Sequence, residues 1–239
     1  MLQPEKIDEN FLNILRKEKE KNRCDLFILT AYGKLLPKEL IEMPKYGILN
    51  THPSLLPKLR GASPVRTAIL NNEKITGATV IVLDEKMDHG PIVAQEKIEI
   101  EDKDWPPLLP VLEEKLFRTG GKLLVKIMQD YVDGKIIPKI QDESKATFSK
   151  KIIKEDGLVD LLKDSPKEIY TKYCAFYGWP GIYFLDCRSL GGDGYETKRI
   201  KITEAIFENG VFVIKKVIPE GRKEIKYEDF TRVQGKALY

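Results

Sequence analysis

The sequence predicts an α/β domain followed by a small β-rich domain. Three observations carry that expectation. Up to about residue 135, short continuous apolar runs alternate with amphipathic stretches, the pattern of a layered strand-helix domain. A polar stretch without sustained periodicity follows, PKIQDESKATFSKKIIKEDGLVD at 138–160. Beyond it come short β-like runs separated by Gly-rich or polar turns. A chain of 239 residues has room for one large domain or two small ones.

Each element follows from local pattern. In DENFLNILRKEKE (8–20), Phe11, Leu12 and Leu15 share one stripe and charges cover the rest, which predicts a helix capped by Asp8. DLFILT (25–30) is a continuous apolar run, suited to a strand buried on both faces as in a parallel sheet. Further strands are expected at YGILN (46–50), ATVIVL (78–83) and PIVAQEKI (91–98), the last with the character of an edge strand. Pro64–Leu70 starts a helix, with Ser63 as cap and Pro64 at its first position. Residues 108–131 carry a long helical pattern, expected to be disturbed at Pro110 and at Gly120–Gly121. The domain boundaries read as 1–137, an interdomain linker at 138–160, and a second domain at 161–239. In that second part, a helix at Pro166–Phe176 with Ser165 as cap precedes β-runs at Gly181–Leu185, Ile200–Ala205 and Val211–Val217. LGGDG and ENG serve as turns, and the set suggests a small barrel or sandwich.

Composition narrows the class. Hydrophobic residues at 42% and charged residues at 32% fit a folded soluble protein and argue against disorder. A net charge of +3 is too small to prove a nucleic-acid partner. Cys24, Cys174 and Cys187 form no CxxC pair, which argues against a disulfide framework or a zinc ribbon and for a reducing, cytoplasmic compartment. The opening MLQPEKIDENF has a charge at Glu5 and no apolar core, so it is no secretory signal, and no run reaches the ~18 apolar residues of a membrane span. No membrane partner is expected, and the chain reads as a monomer.

The informative stretch is NTHPSLLPKLRGASP, Asn50–Pro64, which directly follows a predicted strand. In open α/β sheets, ligands sit at the carboxyl ends of strands. Asn50 and His52, two apart, face the same side of an extended backbone. A second stretch, LDEKMDHGP (83–91), offers Asp88 after another predicted strand, with Gly90 letting the backbone pass close to a ligand. An amide donor, an imidazole and a carboxylate suit attack of an amine on a carbonyl carbon. The carboxamide would donate to the developing oxyanion, the imidazole would stabilise charge or move a proton, and the carboxylate would support the imidazole directly or through water. The bland reading is a local turn at each place. A metal site from His52, Asp88 and His89 matches no known ligand spacing.

NTHPSLLPKLRGASP followed by TGATVIVLDEKMDHGPIVAQ resembles the folate-dependent formyltransferase superfamily. The resemblance implies that Asn50, His52 and Asp88 match the catalytic Asn, His and Asp, and that Ser54, Leu55, Leu56 and Pro57 match the tetrahydrofolate-binding loop. TAYGKLLPKELIEMPKYGILN fits the preceding strand and loop, so that Gly33 to Leu36 would border the pterin pocket. FSKKIIKEDGLVD and CAFYGWPGIYF resemble the entry to the C-terminal domain of the methionyl-tRNA branch, as does RGASP after SLLP. The implied fold is a doubly wound, Rossmann-like domain, here only partial, followed by a small OB-like β-barrel. Family members begin with a strand and a Gly-containing turn ahead of the segment matched by LQPEKID, so the front of the sheet is expected to be missing. An incomplete gene product or a partial relic would explain that start.

The implied activity is transfer of the formyl group of 10-formyltetrahydrofolate to the α-amine of initiator methionyl-tRNA, with the C-terminal barrel helping to hold the tRNA. Residues 198–239 agree, with ten Lys or Arg against six Asp or Glu, a net of +4. The alternatives are another formyltransferase acting on an amino sugar or glycinamide ribonucleotide, and a folate- or tRNA-binding remnant without turnover.

Overall fold

The computed structural model of the protein describes residues 4–33, 35–189 and 195–234. It divides into two compact units. The first comprises the residues up to Ala68, Glu73–Lys103 and Leu112–Lys151; the second comprises Ile69–Asn72, Asp104–Val111 and the residues from Ile152 onward.

The chain begins with α1 (Glu9–Asn22), β1 (Phe27–Leu29), α2 (Lys38–Ile41), β2 (Ile48–His52), β3 (Arg60–Gly61), α3 (Pro64–Leu70), β4 (Ile75–Val82) and β5 (Ile92–Glu99). The long helix α4 (Leu109–Val132) and the short β6 (Phe148–Ser149) follow. Asp8 caps α1 as its residue type predicts, its carboxylate accepting from the Phe11 N–H at 2.9 Å. The main sheet has the order β1-β2-β4-β5. β1 and β2 run parallel, whereas β4 is antiparallel to both β2 and β5. The sheet is therefore mixed, not the parallel sheet expected. The apolar run in β4 correctly signals burial, with Thr79, Val80 and Ile81 inaccessible to solvent. Burial on both faces says nothing about strand direction, and the short connection from β4 to β5 permits only an antiparallel pair.

Strand alternation distributes the core. Leu49 points toward α4, packing with Val80, Val93, Leu123, Leu124 and Ile127. Ile48 points the other way, onto Leu12 of α1 and Leu40 of α2. α4 runs unbroken through both features expected to disturb it. Pro110 falls in the first turn, where no intrahelical partner for an N–H is needed. At Gly120 the helix lies close against the sheet, since an added Cβ would stand 3.4 Å from the Cβ atoms of both Ala78 and Thr51. β2 itself starts two residues later than predicted, because Gly47 adopts φ +74° and turns the chain just before the strand.

The segment 138–151, polar and aperiodic in sequence, is stitched onto the first unit. Lys139 exchanges backbone hydrogen bonds with Ile92 at 2.7 and 2.8 Å, and β6 pairs in parallel with β3. Its polarity supplies hydrogen-bonding groups that the site uses.

In the second unit, α5 (Pro166–Ala175) precedes β7 (Ile182–Ser189), β8 (Tyr195–Glu208), β9 (Val211–Pro219), β10 (Ile225–Lys226) and α6 (Tyr227–Gln234). These strands form an antiparallel sheet of order β10-β9-β8-β7. Ser165 and Glu168 close a capping box at the start of α5. Tyr170 of α5 stacks on Phe207 with ring centroids 5.3 Å apart, and Phe230 of α6 packs edge-on to Phe184. Burial among these groups pushes the Cys174 thiol up to about 11, so it stays a neutral core group. The LGGDG turn lies outside the described residues.

Candidate active site

β2 delivers Asn50 and His52 to one face at its carboxyl end, in register with Ile81 and Thr79 of β4. Both side chains are buried. The loop that follows is fixed by hydrogen bonds that leave its buried groups paired. The Ser54 N–H donates to the His52 carbonyl at 2.9 Å, and the Ser54 hydroxyl donates to the Lys58 carbonyl at 2.6 Å. The Thr79 hydroxyl donates to the Ser54 carbonyl at 2.6 Å and accepts from the Leu56 N–H at 3.1 Å. Gln95 Nε2 donates to the Leu56 carbonyl and to Thr79 Oγ1 at 2.7 and 2.9 Å.

This frame returns the chain to His52, whose Nε2 lies 2.9 Å from the Leu59 carbonyl oxygen. A carbonyl can only accept, which assigns the neutral ring's proton to Nε2 and leaves Nδ1 as its acceptor. Nδ1 faces Asp88 Oδ1 at 3.6 Å. That separation is an ion-pair distance for a protonated ring and too long for a direct hydrogen bond. The other oxygen, Asp88 Oδ2, accepts the Gly61 N–H at 2.7 Å.

Two further contacts hold the Asp88 loop. Gln141 Nε2 donates to the carbonyls of Asp88 and Gly90, each at 2.8 Å. Gln141 Oε1 in turn accepts from Arg60 Nε and Nη2 at 3.1 and 2.8 Å. The buried Arg60 guanidinium also grips Glu143 with both Nη atoms, at 3.0 and 2.6 Å. That bond holds the Glu143 carboxyl below its usual range. Gly90 is required by this packing. A Cβ there would stand 1.7 Å from the Val82 carbonyl oxygen. His89 turns to Asp84 and, at 3.5 Å, to Glu143, so it does not join His52 and Asp88.

Asn50, His52 and Asp88 line one cavity of about 400 Å³. Gly33, Leu35 and Leu36, from the loop after β1, line it too, as does the charged pair Arg66 of α3 and Glu113 of α4. Ser54, Leu55, Leu56 and Pro57 do not line it. Ser54 and Leu56 are almost wholly buried, whereas Leu55 and Pro57 stay partly accessible, and the hydrogen bonds of this loop brace it beneath His52. The motif spacing locates the loop but does not say which of its faces meets a ligand. Gln141 and Glu143 escaped the sequence reading because nothing in an aperiodic polar segment distinguishes a buried amide from a solvated one. Glu113 carried a weak signal, a charge directly beside the apolar stripe of Leu112 and Leu116.

Such a set can polarise a carbonyl through an amide N–H and accept a proton at an imidazole backed by negative charge. Residues 4–126 match the family model described as formyl transferase. The chain belongs to the formyl transferase family. A methionyl-tRNA formyltransferase of Campylobacter lari is 41% identical over 245 residues, covering 97% of this chain and 75% of that protein. Among solved structures, a methionyl-tRNA formyltransferase from Clostridium thermocellum superposes with a TM-score of 0.62 at 17% identity, over 92% of this chain and 85% of that one. HypX from Aquifex aeolicus, solved in complex with tetrahydrofolic acid, superposes with a TM-score of 0.70 at 17% identity, over 95% of this chain and 42% of that one. Both superpositions establish the formyl transferase fold. Among the described residues, no helix is long and apolar enough to cross a membrane.

Proposed function

We propose that this chain transfers the formyl group of 10-formyltetrahydrofolate to the α-amino group of initiator methionyl-tRNA, by direct attack of the amine through a tetrahedral intermediate. The observation that carries the reading is the convergence of Asn50, His52 and Asp88 on one cavity in a chain of this family. The name of the Campylobacter lari relative supports the acceptor, and the tetrahydrofolic acid held by HypX supports the donor.

In this mechanism the acceptor nitrogen bonds to the formyl carbon, and the carbonyl electron pair moves onto oxygen. The Asn50 amide donates to that oxyanion. The proton leaving the amine goes to His52 Nδ1, the free acceptor of the ring, and Asp88 stabilises the resulting imidazolium across 3.6 Å. Collapse of the intermediate breaks the bond to the folate nitrogen, which takes that proton. Gly33 and Leu36 form the pterin wall, while Ser54–Pro57 supports the catalytic histidine from beneath.

The second unit would hold the tRNA. Lys215, Lys216 and Lys226 line a groove together with Phe212 and Tyr227, a combination suited to phosphates and bases. We assign residues 161–239 to an OB-like domain. The register shifts of the long strand β8 between Ile202 and Ala205 supply the bend that a curled sheet requires. Residues 1–137 carry the catalytic groups and 138–160 lead into the second domain, in a cytoplasmic enzyme acting as a monomer.

The test is formylation of initiator methionyl-tRNA with radiolabelled 10-formyltetrahydrofolate. Asn50→Ala should lower kcat by about 10²–10³-fold, the range for removing one oxyanion donor, while folate binding is kept. Absence of transfer by the wild-type chain, or transfer to an amino sugar instead, would overturn the reading.

A further inference from the structure

The catalytic cavity contains three carboxylates among its described lining residues, Asp84, Asp88 and Glu113. Asp84 and Asp88 each accept hydrogen bonds from the protein. Asp88 accepts from the Gly61 N–H and faces His52. Asp84 accepts from the Lys86 N–H and from His89. Glu113 differs. It faces Arg66 across 3.9 Å, beyond hydrogen-bond reach, with about a third of its side chain open to solvent. Its carboxyl is pushed above the usual range by burial, against the opposing pull of Arg66.

A partly desolvated carboxylate with acceptor capacity left over, on the wall of a cavity whose chemistry consumes an amine, is suited to the incoming amine itself. An α-amino group is largely an ammonium near neutral pH. It needs an anionic acceptor to draw it out of bulk solvent, and it must release one proton to water before the neutral amine attacks and passes its second to His52. Asp88 is committed to the imidazole, its Oδ1 facing His52 Nδ1 at 3.6 Å, where the imidazolium charge would develop. Glu113 projects from the first turns of α4, whose packing onto the sheet at Gly120 fixes the helix against β2. Arg66, one turn into α3, keeps the carboxylate ionised and aimed without consuming its lone pairs.

We infer that Glu113 is the acceptor-recognition residue of this site: it receives the ammonium group of the incoming aminoacyl acceptor, with Arg66 as its positioning partner. The inference rests on the formyl-transfer reading and adds to it the group that selects a free amine.

The experiment compares wild type and Glu113→Gln, nearly the same in shape, with two ligands. These are initiator methionyl-tRNA and the same tRNA with its amine acetylated. Wild type should bind the free-amine form about tenfold more tightly than the acetylated form, the effect of one charge-assisted hydrogen bond at a part-exposed site. Glu113→Gln should bind the two alike, with KM for methionyl-tRNA raised about tenfold, kcat changed less than threefold and KM for the formyl donor unchanged. Equal discrimination by both proteins, or a variant that loses kcat and donor affinity together, would refute the role of Glu113. Wild type that transfers no formyl group to methionyl-tRNA would instead sink the acceptor assignment on which the inference rests, so the two failures are separable.

Discussion

Arg60 and Arg66 lie six residues apart and each faces a glutamate, yet they do opposite things. Arg60 is 2% exposed and spends every Nη and Nε contact on Gln141 and Glu143. Arg66 sits on the cavity wall with its glutamate at 3.9 Å. The first is a closed network that fixes where Asp88 stands. The second is an open pair that leaves room for a ligand. Saturated contacts mark the scaffold of a site, and loose ones mark the surface where it meets its substrates.

The largest effect should come from breaking the closed pair. Arg60→Met strands the buried Gln141 carbonyl and loosens the Asp88 loop, at a cost of about 1–3 kcal/mol, the range for a buried acceptor left unpaired. Urea unfolding would show this as a lower midpoint, and formyl transfer should fall with it. An unchanged midpoint would mean that Arg60 is ornamental. A smaller effect is expected from Arg66→Met, within about 0.5 kcal/mol in the same assay, as for other part-exposed pairs. Its consequence should appear in acceptor KM; a stability loss as large as that of Arg60→Met would erase the distinction between the two arginines.

The smallest effect concerns acid. Arg60 lowers the Glu143 pKa, so in the unfolded chain Glu143 binds its proton at a higher pH than in the folded one. The stabilisation is therefore complete above the ordinary Glu pKa of about 4.3 and is lost as pH falls through the depressed folded value. The gap in urea midpoint between wild type and Arg60→Met should narrow below that pH. Asp142, held down to about 2 by Lys145, titrates alike in both and cancels. A gap independent of pH would assign the stabilisation to Gln141 alone.

The same contrast explains what could be read beforehand. Asn50, His52 and Asp88 stood out by residue type and strand-end position together with the family resemblance, and the fold brings all three to one cavity. α1 and α5 were legible from Asp8 and Ser165, whose caps are local. The direction of β4 was not, since Val80 and Ile81 would look the same in either orientation. The orientation of Ser54–Pro57 was not legible either, because it depends on Thr79 and Gln95 from two other strands. Gln141 was invisible for the same reason: its partners, Arg60, Asp88 and Gly90, lie 51 to 81 positions away.

The pairing of β3 with β6 sets an order of events. Arg60 and Gly61 register with Phe148 and Ser149, and Thr147 Oγ1 accepts from the Leu59 N–H, the residue whose carbonyl holds His52. During synthesis, Asn50, His52 and Asp88 are made long before the segment that locks their loop. A chain stopped at residue 137 would carry Asn50, His52 and Asp88 and still lack their clasp. The clasp of the loop after β2 is thus written into residues 147–149, downstream of all three side chains that it helps to place.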